Sequence, residues 1–351
     1  MRHRVTVGMF WLCIALAIGL LSFPTSSSAK FTQALERLIP VAKTEGEVSI
    51  FVGSPRYTAA EAAQISKTFE GVYGIPMKVN LASLGDHPGF VRRLREEAKV
   101  GVKPVVDVVP TGIKFLNNLK QAGLLEAVRW KELGVPEKDL ITPVEAVESY
   151  TNVRGVIYNT KLVKRADAPR KFEDLLDPKW KGKIVAPAFP TAFPYIALVM
   201  GEEAGLKLVK RLVEDQKMAF APTYSDIGAR VASGEFLIGY GYTAGRDKVR
   251  GAPVENAPTK VGAFRYGAAV LKKAAHPAAA RLLVHFVTTT PEGTKIAYEI
   301  LNWGKVSTPG TEAYEIAHEG GLVFPKPADE VRWETEEHER IANRFKQVLG
   351  F

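Results

Sequence analysis

The sequence predicts an α/β fold whose first part is a parallel sheet, and three observations carry that reading. Three strand–turn–helix units follow one another between Glu47 and Leu119. The rhythm then changes, because Val128 to Val144 is irregular and rich in turns. After it, Tyr150 to Asn159 (YTNVRGVIYN) reads as a strand able to leave the first domain for a second. At 351 residues, 46% hydrophobic and 24% charged, the chain is long enough for two cores.

The chain opens on a secretory pattern. Arg2, His3 and Arg4 form a basic end, Val5 to Phe23 is apolar, and Ser27-Ser28-Ala29 offers small residues for cleavage. An uncleaved anchor is the alternative, since the apolar run approaches the ~20 residues a span needs. Pro24 and the serine cluster favour cleavage after Ala29. The only cysteine, Cys13, lies inside that run, so the mature chain offers no disulfide, thiolate nucleophile or Cys-ligated metal. No later segment is long and apolar enough to span a bilayer. The formal net charge is +9, with Lys and Arg scattered rather than blocked. That implies solubility and mild attraction to anions, not a nucleic-acid surface.

Phe31 to Lys43 is the first helix, with Leu35, Leu38 and Ile39 as its apolar stripe. The stretch that organises the chain follows. Val48 to Val52 is a short buried strand, Gly53, Ser54 and Pro55 break it, and a helix starts near Tyr57 or Thr58 with Ala62, Ile65 and Phe69 on one face. Ligands of open α/β sheets bind beyond the carboxyl ends of the strands, and helix starts favour anions. This turn is therefore one wall of a ligand cleft. Met77 to Leu81 is a second strand, Ala82 to His87 its turn, and Phe90, Val91, Leu94 and Ala98 line the next helix. Arg92, Arg93, Arg95 and Lys99 form its solvated face. Val105 to Val109 is a third strand ending at Pro110-Thr111-Gly112.

Beyond Asn159, Lys183 to Ala186 is a strand, Ala188 to Pro194 a loop, and Glu202 to Lys217 an amphipathic helix. Thr223 to Ser225 precede a helix across Ile227 to Ala232, and Phe236 to Tyr242 is a strand. Val249 to Lys260 is a return, Gly267 to Leu271 a strand, and Ala278 to Phe286 a helix. Pro291 opens another helix, and Val331 to Leu349 is a charged C-terminal one.

Catalytic signatures are missing. Gly239-Tyr240-Gly241-Tyr242-Thr243-Ala244-Gly245 mimics a dinucleotide fingerprint, but its last glycine comes one position late and after a late strand. His87, His276, His285, His318 and His338 are singletons without metal spacing, and Glu334 to Glu339 around His338 reads as a solvated helix face. There is no Gly-x-Ser-x-Gly elbow and no Walker loop, so any ATP would be hydrolysed by a partner. Period-two alternation would point Tyr240 and Tyr242 the same way.

Seven short segments, taken in order, resemble a known family. They are Glu45-Gly46-Glu47, Asp107-Val108-Val109, Val156-Ile157-Tyr158-Asn159, Phe172-Glu173-Asp174-Leu175, Pro178-Lys179-Trp180-Lys181-Gly182-Lys183, His276-Pro277 and Pro291-Glu292-Gly293. Together they resemble the periplasmic solute-binding proteins of ABC importers, in the two-lobed type II class that includes ferric-iron-binding proteins. The resemblance covers nearly all of the mature chain. It implies two α/β lobes, each a mainly parallel sheet flanked by helices, joined by crossover hinge strands near Tyr150–Asn159 and Val249–Phe264. Residues 1–29 would be the signal peptide, 30–149 the first part of lobe 1, 150–264 lobe 2, and 265–351 the return to lobe 1. A periplasmic monomer would close on a small solute and deliver it to an inner-membrane permease with its ATPase. Porphobilinogen deaminase, an enzyme on the same architecture, attaches its cofactor through a cysteine that the mature chain lacks.

Two ligand classes follow. In the first, a small carboxylate- or phosphate-bearing anion meets Arg56 at the first helix start, Arg154 on the crossover and Arg246 after the tyrosine loop. Arg154 stands where relatives often use an arginine for an anion. Ser54, Tyr57, Thr111, Gly112, Thr191, Tyr224 and Ser225 complete this set from the neighbouring turns. In the second, ferric iron is the cargo and Tyr240 and Tyr242 supply phenolates. The remaining iron ligands of those relatives do not transfer: their histidine falls at Pro55 or Arg56 and their glutamate at Gly112. His87, Asp86 or Tyr224 would have to substitute. No resident cofactor is expected in either case.

Overall fold

The computed structural model describes residues 31–53 and 57–350. The predicted signal peptide lies outside the described residues. In chain order, α1 (Gln33–Glu45), β1 (Glu47–Val52), α2 (Ala59–Tyr73), β2 (Lys78–Ser83), α3 (His87–Lys99), β3 (Val108–Gly112) and α4 (Ile113–Gln121) form the first run. Short 3-10 turns lead to β4 (Leu140–Ile141) and β5 (Ala146–Val153). Then come β6 (Val156–Asn159), β7 (Ile184–Pro187), α5 (Pro194–Met200), α6 (Glu202–Glu214), β8 (Ala219–Ala221), α7 (Tyr224–Ala232), β9 (Ile238–Tyr240), α8 (Gly245–Val249) and β10 (Val254–Asn256). The chain returns through β11 (Val261–Val270), α9 (Pro277–Thr289), α10 (Pro291–Leu301), α11 (Glu312–Glu319) and β12 (Leu322–Val323). It ends on α12 (Glu330–Arg332), a π turn (Trp333–Glu337) and α13 (His338–Leu349).

Two sheets result. The first has the order β2-β1-β3-β11-β5-β4 with β12 beside β11, and the second β10-β6-β9-β7-β8. Read from its parallel edge, each sheet repeats one plan. A second strand, a first and a third run parallel, then come an antiparallel strand that has crossed from the other sheet and its antiparallel neighbour. Beyond these three strands in each sheet, the described residues show one more parallel pair, β11 with β12.

The first unit forms for the reasons its sequence gives. Val48, Ile50, Phe51 and Val52 are buried in β1. Thr58 caps α2 and makes a reciprocal capping box with Glu61, which satisfies two orphan amides at the helix start. Ile65 and Phe69 pack inward. Arg92, Arg93, Arg95 and Lys99 on α3 are exposed, as their pattern predicts.

Two strands depart from the reading above. β3 begins later than expected and runs through Pro110-Thr111-Gly112 instead of turning there. β1 pairs with it only at Ile50–Val108, so past that point β3 has a partner on one side and tolerates a proline. The Tyr150–Asn159 strand is two strands: β5 belongs to the first sheet and β6 to the second, and Arg154-Gly155 is the crossing.

At the base of the crossing strands, charge replaces apolar packing. Lys305 Nζ, almost fully buried, donates to Asp139 Oδ2 at 2.7 Å and to the Thr288 carbonyl at 2.6 Å. Arg265 on β11 grips Glu330 through two hydrogen bonds. Glu148 on β5 accepts from Thr151 Oγ1 at 3.0 Å, and burial pushes its pKa up to about 7. The Lys305→Met variant leaves Asp139 buried and uncompensated, and should cost about 3–5 kcal/mol of stability. Urea unfolding should show a lower midpoint at an unchanged slope.

Candidate functional site

The strand tips of both sheets converge beside the crossing. On the first side, Thr111 and Gly112 end β3, and Gly112 is the N-cap of α4. Thr111 is buried and its Oγ1 lies 2.8 Å from His87 Nδ1. Burial holds His87 neutral, its pKa down at about 4, against a small opposing pull from Asp86. Asp86 itself caps α3, accepting from the Gly89 amide at 2.6 Å.

Gly112 is small because two groups close on it. A Cβ there would stand 3.1 Å from Glu334 Oε2 and 3.3 Å from Tyr266 Cζ. Glu334 arrives from the π turn, and its Oε2 accepts the Lys114 amide at 3.1 Å. The protein's own carboxylate thus occupies the start of α4, where unpaired amides favour an anion. Its Oε1 is sealed from solvent without a hydrogen-bond partner. Burial pushes the Glu334 pKa up to about 8, and the Lys114 and Ile113 amides offset only part of that. His338, one turn on, is also enclosed, with burial taking its pKa down to about 4 and the Thr191 backbone as its partner. Its ring meets Tyr195 edge-on at 6.0 Å. The expected solvated face of Glu334 to Glu339 therefore turns two of its members inward.

At the crossing, the Arg154 guanidinium lies 4.1 Å from the Tyr224 ring centre and 5.5 Å from that of Tyr195. Burial works against its charge, and the surrounding phenols of Tyr224, Tyr195, Tyr266 and Tyr150 support it. Its Nε is enclosed with no hydrogen-bond partner, and among the described residues no carboxylate pairs with it. Asn152 Nδ2 donates to Tyr195 Oη at 3.1 Å, and Tyr266 packs on Tyr150 at 4.7 Å.

A cavity of about 280 Å³ opens at the tips, lined by Phe51, Tyr57, His87, Tyr150 and Trp303 from one side and Tyr242 and Thr243 from the other. A larger groove of about 850 Å³ runs along α2 and the edge strand β2, but residues of the second sheet do not reach it. The smaller cavity is the candidate because both sheets build it. Tyr150 links it to the arginine, since its phenol also senses the Arg154 charge.

The remaining expected residues divide. Tyr224 opens α7 behind its Thr223 cap, and Ser225 is exposed on the first turn. Thr191 is exposed on the turn after β7. Ser54 and Arg56 lie outside the described residues, and of Arg246 only its place in α8 is described. Tyr240 and Tyr242 do not converge. Gly241 takes φ 81°, a left-handed turn that ends β9 and breaks the alternation. Tyr240 is buried in the second core and donates to the Ala192 carbonyl at 2.8 Å. Tyr242 borders the cavity and donates to Asp247 Oδ2 at 2.8 Å. Among the described residues no group of three or more His, Cys, Asp or Glu is placed to hold a metal.

Tyr240→Phe should leave the Ala192 carbonyl unsatisfied and cost about 1–3 kcal/mol in urea unfolding. Glu334 gives a pH signature. Its folded pKa of about 8 lies above the ordinary 4.5, so the protonated form stabilises the fold at low pH and that advantage is lost as pH rises to about 8. The stability of wild type relative to Glu334→Gln should therefore fall across that window and be flat above it.

Residues 103–299, over half of the chain, match the family described as bacterial extracellular solute-binding protein. No curated protein matches the chain significantly. Among solved structures, iron-bound HitA from Pseudomonas aeruginosa aligns at TM-score 0.61 and 20% identity over 86% of this chain and 99% of that one. AfuA from Actinobacillus pleuropneumoniae, with fructose-6-phosphate bound, aligns at TM-score 0.60 and 21% identity over 87% and 99%. An ABC-transporter substrate-binding protein from Agrobacterium tumefaciens reaches TM-score 0.67 at 14% identity over 88% and 96%. At these identities the likeness establishes the two-lobed type II periplasmic binding fold. With the family match over its central segment, the chain belongs to the bacterial extracellular solute-binding proteins.

Proposed function

We propose that the protein captures a small organic anion between its two sheets, with Arg154 as the anchor, and delivers it to the permease of an ABC importer. One observation carries the ligand class: an enclosed guanidinium without a counter-ion among the described residues. A buried charge left unpaired is costly, and a bound carboxylate or phosphate supplies the missing partner through arginine's planar donors. Hinge closure around the paired crossing strands β5 and β11 would seal the ligand and present the closed form to the permease. The extracellular family and the basic, then apolar, N-terminus support work in the periplasm. The reading needs no resident cofactor. Ferric ion is the competing cargo: Tyr242 and His87 border the cavity, but Tyr240 is committed to the core.

A thermal-shift screen of small carboxylates and phosphates tests this. At least one member should raise the melting temperature, and Arg154→Gln should weaken its binding by about 30-fold or more. A visible phenolate-to-iron colour after ferric citrate loading, lost in Tyr242→Phe, would instead establish iron and overturn the anion reading.

A further inference from the structure

We infer that a cavity at the base of the crossing strands is a second ligand site, separate from the strand tips, and that it takes a small primary amine as its ammonium ion, held by Glu148. The cavity measures about 570 Å³ and shares no lining residue with the one at the strand tips. Asp139, Glu148, Arg265 and Glu330 all line it. Three buried carboxylates here meet two cations, so the pairing leaves one over. Glu330 closes Arg265 and Asp139 closes Lys305. Glu148 has no ionic partner among the described residues. Its Oε1 accepts from Thr151 Oγ1 at 3.0 Å, nothing among the described residues donates to Oε2, and Oε2 is not sealed from solvent. A buried carboxylate with one unbonded oxygen on a cavity wall is an acceptor for a donor that enters there.

A β-bulge aims Glu148 at this cavity. In the β5–β11 ladder Tyr150 faces Tyr266 but Glu148 faces Gly267, so Ser149 is an extra residue on β5. Strict alternation would send Glu148 and Tyr150 to one face. Instead Tyr150 lines the strand-tip cavity and Glu148 the one at the base. The other walls describe the ligand. Val306, Phe324 and Pro325 offer apolar surface for an alkyl body, and Thr142 and Ser307 add hydroxyls. A metal ion does not suit the site, because Asp139 and Glu330 are engaged and one carboxylate remains. Lys138 stands at the exposed rim and makes no ion pair with Glu148 among the described residues. Burial favours the protonated form of Glu148 and takes its pKa to about 7, with Arg265 and Lys305 opposing the rise and Asp139 adding to it. An ammonium ion requires the carboxylate, so its binding is strongest above that pH and weakens below it.

Calorimetry on the full mature chain tests this with n-propylammonium chloride against n-propanol, in potassium chloride of matched ionic strength. At about pH 8 the amine should bind with a Kd of about 1 mM or tighter, at least about tenfold more tightly than the alcohol. Its affinity should fall about tenfold between about pH 8 and about pH 6, as Glu148 takes up its proton. Glu148→Gln keeps an oxygen for the Thr151 hydroxyl, so it should fold, which urea unfolding checks, and it should lose the preference for the amine. No response to the amine beyond that to potassium chloride, or equal binding of alcohol and amine, would overturn the site. A preference that survives in Glu148→Gln would overturn the role of that carboxylate, and so would an affinity in wild type that does not change across the pH range. None of these outcomes touches the anion reading, whose own test is at Arg154.

Discussion

The antiparallel pairing of β5 with β11 is the constraint on which the rest depends. Each strand leads to or from the second sheet, and their register from Ala263–Val153 to Ala268–Val147 locks the two crossings side by side. A paired ladder bends more easily than it slips, because slipping by one residue would turn every buried side chain to the wrong face. The pairing therefore fixes what sits at the crossing. Arg154, just beyond the end of β5, is held against Tyr224 and Tyr195 from the second sheet's side, and Tyr266 of β11 is held beside the β3 tip.

The C-terminal helices reinforce that arrangement from outside the ladder. Glu334 and Lys114–Glu339 tie them to α4 of the first sheet, with the ion pair at 2.7 Å. Arg340 reaches Glu202 on α6 of the second at 2.6 Å, and Arg344 joins the same carboxylate. The exposed pairs contribute little individually. Their role is placement: they hold the π turn against α4, so that Glu334 lies at the start of that helix and not in solvent. Any change of angle between the sheets must be absorbed here as well as in β5 and β11.

Local signals made the frame legible. The β1–turn–α2 unit, its Thr58 cap and the solvated face of α3 follow from periodicity and capping alone. What failed needed information from far along the chain. Whether YTNVRGVIYN is one strand or two depends on partners eighty or more residues away, β9 and β11. Tyr240 and Tyr242 look equivalent in a strand pattern, and only the left-handed Gly241 separates them. Arg154 was legible because its place on the crossover marked it. Glu334 and His338 were not, because a Glu-rich amphipathic helix reads as solvated unless one knows what packs on it. Their spacing of four residues, on one face of the helix, was the available clue.

The way Arg154 is held explains why it remains available. A guanidinium has two kinds of surface: an apolar face that stacks on rings, and an in-plane rim of N–H donors. Tyr224 and Tyr195 act on the cation through ring surface, which steadies its charge without consuming the rim. A carboxylate in their place would satisfy the same charge and block the donors, as Glu330 does for Arg265. Arg265 lies on β11 and Arg154 just past the end of the neighbouring strand β5, and the two meet opposite ends. Arg265 is closed by a bidentate partner and belongs to the scaffold. Arg154 is supported by aromatic rings, and its Nε meets no hydrogen-bond partner among the described residues.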